Sequence, residues 1–166
     1  MMWPADIEQK AREIVTDLTA RNLKLATAES CTGGLIAGAL TEVAGSSLVV
    51  DRGFVTYSND AKIQMLGIEL ATLAAHGAVS RETAVEMARG AVSHSGADIA
   101  VAVTGVAGPG GGSLEKPVGL VYFAAASRNG ATLHKEMRYG DIGRDVVRMS
   151  AVRTAFELLE AISHQA

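Results

Sequence analysis

Ile99-Ala100-Val101-Ala102-Val103-Thr104-Gly105-Val106-Ala107-Gly108-Pro109-Gly110-Gly111-Gly112 is the stretch whose reading decides the fold. Between Asp98 and Thr104 it is a continuous apolar run of strand length, the pattern of a strand covered on both faces. From Gly105 to Pro117 it becomes a loop of mostly small residues, with too little side-chain volume to pack much core. A strand covered twice needs helices above and below it, so the flanking sequence must supply both layers.

Working outward, it does. On the N-terminal side, Ile7, Ala11, Ile14, Val15 and Leu18 recur at helical spacing and predict a first helix of about 17 residues, opened by Pro4 and Asp6. Leu23 to Ala28 reads as a short strand ending at Glu29-Ser30. Thr32-Gly33-Gly34 opens a second helix through Leu35, Ile36, Ala39 and Leu40, broken by Gly45-Ser46-Ser47. Leu48 to Tyr57 is a second strand, interrupted by Asp51-Arg52-Gly53. Asn59 or Asp60 caps a short helix through Ile63 and Leu66 that Gly67 stops. Ser80, with Thr83 and Glu86, opens another through Val85, Ala88 and Val92.

On the C-terminal side, Gly119 to Ala126 is a further apolar strand, and Asn129-Gly130 predicts a two-residue hairpin turn. The strand that follows alternates, with Ala131, Leu133, Met137 and Tyr139 on one face and Thr132, His134, Glu136 and Arg138 on a wet one. A last helix carries Val147, Ala151, Ala155, Leu158, Leu159 and Ile162 inward. Residues 1–166 thus read as a single α/β domain. Its expected form is a three-layer α/β/α sandwich around a mixed, mostly parallel sheet.

Composition narrows the function classes. Aromatics are scarce at 4%, so the core is built from Ala, Val, Ile and Leu. A formal net charge of −3 provides no basic face for nucleic acid. The lone Cys31 excludes an internal disulfide and suits a reducing, cytoplasmic compartment. No signal peptide or membrane span is expected, since the N-terminus lacks a basic-then-apolar pattern and the apolar runs are strand-length. His76, His94, His134 and His164 stand far apart without metal-ligand spacing, so no metal is expected.

Four stretches carry chemistry. In Ala28-Glu29-Ser30-Cys31-Thr32-Gly33-Gly34 a hydroxyl sits between a strand end and a glycine-rich helix start. Free N–H groups there bind an anion or stabilise an oxyanion, unless Ser30 or Thr32 merely caps the helix. Cys31 is a rival nucleophile, although no histidine is placed to activate it. Tyr57 lies at a strand end with Asn59 and Lys62 just beyond. If the two strands run parallel, Ser30, Tyr57 and Lys62 meet in the crevice past the strand ends. The alternative is a packed Tyr57 and a solvated Lys62. The loop with Thr104, Gly105, Gly108 and Gly110 offers backbone donors to a flat or phosphorylated ligand, or is a flexible connection. Arg144 and Arg148, one turn apart, either grip a phosphate or pair with Asp141 and Asp145.

Taken in order from residue 28 to residue 119, four segments, three of them among these stretches, resemble one family. They are Ala28 to Gly34, Tyr57 to Lys62 with Leu66-Gly67, His76-Gly77-Ala78-Val79-Ser80, and Thr104 to Gly111 with Lys116-Pro117-Val118-Gly119. Together they resemble the CinA C-terminal domain family, in its stand-alone form. That family includes deamidases of nicotinamide mononucleotide and the C-terminal halves of competence/damage-inducible proteins. The resemblance implies a five-stranded mixed sheet and a Ser/Lys hydrolase with Ser30 as nucleophile, Lys62 as its base and Tyr57 as third member. It also implies conversion of nicotinamide mononucleotide to nicotinate mononucleotide and ammonia, without cofactor.

On that reading Thr32, Gly33 and Gly34 surround the oxyanion. Asn59, Thr104, Gly105, Gly108 and Gly110 receive the nucleotide, and Arg144 or Arg148 takes its phosphate. Two residues, Ile142-Gly143, separate Gly140-Asp141 from Arg144 where the family commonly has arginine at once. Tyr57 is expected to relay a proton to the departing ammonia. A homodimer is expected from the alanine-rich Leu35 to Leu40 helix. The alternatives are a non-catalytic nucleotide-binding or regulatory module and an amidase for another small amide.

Overall fold

Helices and strands follow one another in the order the sequence predicts, with one further short helix, in a computed structural model that describes residues 2–166. The first half runs α1 (Ala5–Ala20), β1 (Leu25–Glu29), α2 (Leu35–Thr41), β2 (Val50–Val55), α3 (Asn59–Leu66) and α4 (Leu70–His76). The second runs α5 (Arg81–Ser93), β3 (Ile99–Gly105), β4 (Leu120–Ser127), β5 (Thr132–Arg138) and α6 (Arg144–Ser163). The strands form one sheet in the order β2-β1-β3-β4-β5. β1 pairs in parallel with both β2 and β3, and β4 runs antiparallel to β3 and to β5. β4 alone therefore opposes the other strands.

Period-two geometry turns the uniform apolar run of β3 into two different faces. Ile99, Val101 and Val103, with Val121 and Phe123 of β4, pack against α1, α2 and α6. Ala100 and Ala102, with Ala26, Ala28, Ala124 and Ala126, face α3, α4 and α5. Large residues fill one side and methyl groups line the other. The facing helix α5 is small-residued too, burying Ala84, Ala88, Gly90 and Ala91. A Cβ on Gly90 would lie 2.2 Å from the Leu66 carbonyl oxygen, so α5 rides directly on the end of α3. Helices thus cover both faces of the sheet, in three layers.

The topology also places a crevice. β1 and β3 are neighbours, and the chain leaves β1 towards β2 but leaves β3 towards β4. Oppositely directed exits part the loops beyond adjacent parallel strands, which is where α/β sheets bind ligands. Ser30 ends β1 and the glycine loop leaves β3.

Several local details differ from expectation. Asp51-Arg52-Gly53 does not break β2; the register slips between Leu25 and Ala26, leaving Asp51 unpaired while the strand continues. Gly53 lets α2 pack close on this strand, because a Cβ there would lie 2.9 Å from Thr27 Oγ1 and 3.1 Å from the Ala37 side chain. Ser58, not Asn59 or Asp60, caps α3 by accepting from the Ala61 N–H. Between β4 and β5 the connection is four residues, Arg128 to Ala131, closed by the Ser127 N–H on the Ala131 carbonyl. Arg128 is held there by the carbonyls of Val92, Ser95 and Ala97. Helix α4, seven residues long, is too short to show a period. The Leu35–Leu40 stretch offered to a second copy turns Ile36, Ala39 and Leu40 into the chain's own core. No helix among the described residues is long and apolar enough to cross a membrane.

Gly90→Ala should lower unfolding free energy by about 1–3 kcal/mol, the usual cost of overpacking a tight contact. Urea titration reads it directly, and an unchanged midpoint would show that the α3–α5 contact has slack.

Candidate active site

Ser30 sits one residue past β1, with its N–H bonded to the Val103 carbonyl of β3. Lys62 lies in the first turn of α3, on the same side of the sheet. Its Nζ donates to Ser30 Oγ at 2.9 Å and to the Thr56 carbonyl at 2.8 Å, with the Tyr57 carbonyl at 3.5 Å. The lysine is 1% exposed, and every partner is neutral. Desolvation of an unpaired ammonium favours the free amine. Burial accordingly pushes the Lys62 amine down to about 8. Cys31, the rival nucleophile, is moved the other way: burial pushes its thiol up to about 11, leaving it inert.

The Ser30–Lys62 pair opens on a cleft of about 300 Å³. Tyr57, Thr104, Gly105, Gly108, Gly110 and Arg144 line the same cleft, so three separate stretches converge there. Thr104 is buried and donates its hydroxyl to the Ala78 carbonyl. Gly105 is required by closeness, since a Cβ would sit 2.7 Å from Val121 Cγ2 and 2.8 Å from the Leu120 oxygen. Arg144 spans the rim, donating to the Gly108 carbonyl at 2.8 Å and to the Tyr57 hydroxyl at 3.0 Å. Among the described residues neither Arg144 nor Arg148 forms an ion pair with Asp141, Asp145 or any other carboxylate.

Other expected site residues do not make the contacts foreseen for them. Thr32 is fully buried, and its hydroxyl donates to Glu29 rather than facing the cleft. The Gly33 N–H is spent on the Ser30 carbonyl, and Gly34 caps α2 in a left-handed conformation. Asn59 is exposed on α3 and does not line the cleft. Arg148 also lies off the cleft, donating to the carbonyls of Cys31 and Thr32. Tyr57 is 60% exposed, and its hydroxyl meets Arg144 instead of Ser30 or Lys62. No bonded path therefore leads from the phenol to the serine.

One residue that the sequence reading passed over organises this region. Glu29 is fully buried, and its carboxylate accepts from the Thr27 and Thr32 hydroxyls and from the N–H groups of Ile36 and Ala37. The start of α2, expected to be free for an anion, is filled by the protein's own carboxylate. Nothing in the sequence marks it, because an acid at a strand end has the same letters whether solvated or buried. Ala78 and Val79, also on the cleft, come from the loop between α4 and α5. Among the described residues no three His, Cys, Asp or Glu side chains come together as a metal cage.

Against known proteins, residues 7–163 match the CinA C-terminal domain. The chain belongs to this family. The Escherichia coli K12 protein named nicotinamide-nucleotide amidohydrolase PncC is 48% identical over 159 residues, covering 95% of each chain. Among solved structures, a competence/damage-inducible protein from Agrobacterium tumefaciens superposes with a TM-score of 0.97 at 64% identity, over 98% of this chain and 99% of that one. A competence damage-inducible protein from Klebsiella pneumoniae reaches 0.90 at 41% identity, over 96% and 99%. The layered architecture is thus that of the CinA superfamily.

Lys62 leaves a signature in the stability of this CinA domain. Its amine falls from an ordinary 10.5 to about 8 on folding. Between those values the unfolded chain holds one more proton, so stability must rise with pH. Below pH 8 both states are protonated and the full desolvation cost of about 3 kcal/mol applies; above 10.5 it is gone. Denaturant titrations of the wild type against Lys62→Met should show the wild type gaining ground through that window. A pH-independent difference would mean that the amine is not desolvated.

Proposed function

We propose that this CinA-family domain is a nicotinamide-nucleotide amidohydrolase, cutting the ring carboxamide with Ser30 as nucleophile and Lys62 as base. The observation that carries the reading is the 2.9 Å contact between Lys62 Nζ and Ser30 Oγ at the wall of a cleft. It is supported by the named activity of the E. coli relative, which matches this chain over nearly its whole length.

The chemistry follows from the amine's environment. A neutral Lys62 takes the Ser30 proton as Oγ bonds to the carboxamide carbon. The resulting ammonium then gives that proton to the amide nitrogen as the C–N bond breaks, and ammonia leaves. Water, deprotonated by the same amine, hydrolyses the ester and returns the proton to Ser30. One lysine thus serves as base and acid, and Tyr57 is left to steady Arg144 at the rim. The developing oxyanion must be met by N–H groups of the Ser30–Gly34 turn that are still free.

Arg144 suits the phosphate. Its present partners, Gly108 O and Tyr57 Oη, are neutral, so its positive charge is available to an anionic ligand. The glycine loop brings main-chain groups close to the same ligand without side chains in the way. A small-molecule nucleotide is the partner this site fits. The same reading places the chain in the cytoplasm, consistent with one free buried cysteine. It also has the chain working as a homodimer, for which the exposed Leu48, Val55 and Leu70 supply apolar surface.

Ammonia release from nicotinamide mononucleotide should vanish in Ser30→Ala and fall nearly as far in Lys62→Arg, because a guanidinium never becomes a base. Turnover by either variant would remove the Ser/Lys scheme. Saturable binding of the nucleotide by the wild type without ammonia would instead indicate a binding module. With the amine at about 8, kcat/KM of the wild type should climb about tenfold per pH unit below that value and level off above it. A flat profile from pH 6 to 9 would show that Lys62 is not the titrating base.

A further inference from the structure

Arg148 has a charge with no carboxylate partner, yet it does not face the cleft. Its Nε donates to the Cys31 carbonyl at 3.1 Å and its Nη2 to the Thr32 carbonyl at 3.2 Å. Both carbonyls belong to the turn just after the nucleophile. Gly33, in a left-handed conformation with φ +57°, leaves room for this grip: a Cβ there would lie 3.4 Å from Nη2. The guanidinium is half-buried and spends its two-pronged geometry entirely on main chain.

A trans peptide is planar, so holding its C=O directs its N–H the opposite way. Gripping the Cys31 carbonyl therefore aims the Thr32 N–H. Gripping the Thr32 carbonyl orients the next peptide, whose Gly33 N–H bonds back to the Ser30 carbonyl at 3.0 Å. That bond in turn aims the Cys31 N–H. Among the described residues the N–H groups of Cys31 and Thr32 are left without a hydrogen-bond acceptor. On the far side of the turn, Glu29 ties down the Thr32 hydroxyl and the first N–H groups of α2.

We propose that Arg148 is a positioning residue: by clamping the carbonyls of Cys31 and Thr32, it presents their free N–H groups as the oxyanion donors beside Ser30. This deepens the amidohydrolase reading and rests on it for Ser30 as nucleophile. It assigns the two arginines of α6 different tasks, Arg144 towards the ligand and Arg148 towards the main chain.

The test reads both turnover and the nucleophile itself. In Arg148→Ala, kcat for nicotinamide mononucleotide should drop about 100-fold, the usual loss for a mispositioned oxyanion donor, while KM stays within about threefold of wild type. The rate at which a fluorophosphonate labels Ser30, with Ser30→Ala as the blank, should fall in parallel. Free guanidinium at millimolar concentration should restore part of both rates, and methylammonium should not, because only a planar fork spans two carbonyls. Arg148→Lys reaches one carbonyl and should label about tenfold slower; it carries the test if the alanine variant does not fold. Wild-type labelling rates in either folded variant would overturn the proposal, as would a raised KM with kcat intact, which would put Arg148 on the ligand. If wild type labels at Ser30 in an Arg148-dependent way but releases no ammonia from the nucleotide, the clamp stands and the substrate reading falls.

Discussion

Everything at this site depends on an amine held out of water with no anion to keep its proton. Lys62 is closed in by α3 and the sheet, and its bonds go to a hydroxyl and to main-chain oxygens. The fold keeps the nearest buried carboxylate out of reach by strand alternation. Glu29 and Ser30 are adjacent in sequence but serve opposite faces, the acid turned to α2 and the hydroxyl to α3. Had the acid met the amine, the resulting ion pair would have held the lysine protonated, as a neighbouring opposite charge does.

The same division of labour runs through the sheet. The side bearing α1, α2 and α6 is filled with Ile, Val, Leu and Phe. The side bearing Ser30 and Lys62 is mostly methyl groups against a small-residued α5. Apolar burial on the first side provides the greater driving force for folding, since it removes the greater area from water. The second contributes closeness. Three charges near the sheet ends are met largely by main chain: Glu29 by the start of α2, Arg128 by the carbonyls at and after the end of α5, and Arg148 by the turn after Ser30.

Much of this was legible in the sequence, for identifiable reasons. Strands β3 and β4 announce themselves because burial on two faces leaves an unbroken apolar run, and β5 because burial on one leaves a pattern of period two, as Leu133, Met137 and Tyr139 show. Ser30 and Lys62 were predictable as neighbours because parallel strands end at one edge, and their segments leave β1 and β2 there. What escaped is what main chain does. The Thr56 carbonyl under Lys62, the spent N–H groups at Gly33, Ile36 and Ala37, and the carbonyls under Arg148 have no letter in a sequence. Glu29 escaped for a different reason. Beside a strand end an acid reads as solvated, and only the folded arrangement gives its charge four donors, two hydroxyls and two N–H groups of α2. The slip at Asp51 and the four-residue connection at Arg128 likewise meet distant partners, Gly96 and the end of α5.

The methyl layer has a consequence for the width of the cleft. Ala78 and Val79, which form one of its walls, precede α5 by a few residues, and α5 rests on Ala100, Ala102, Ala124 and Ala126. Those four side chains act as shims beneath a jaw. Replacing any of them with a bulkier residue would lift the helix and carry that wall with it, so the gauge of the opening is set by residues that no ligand ever touches.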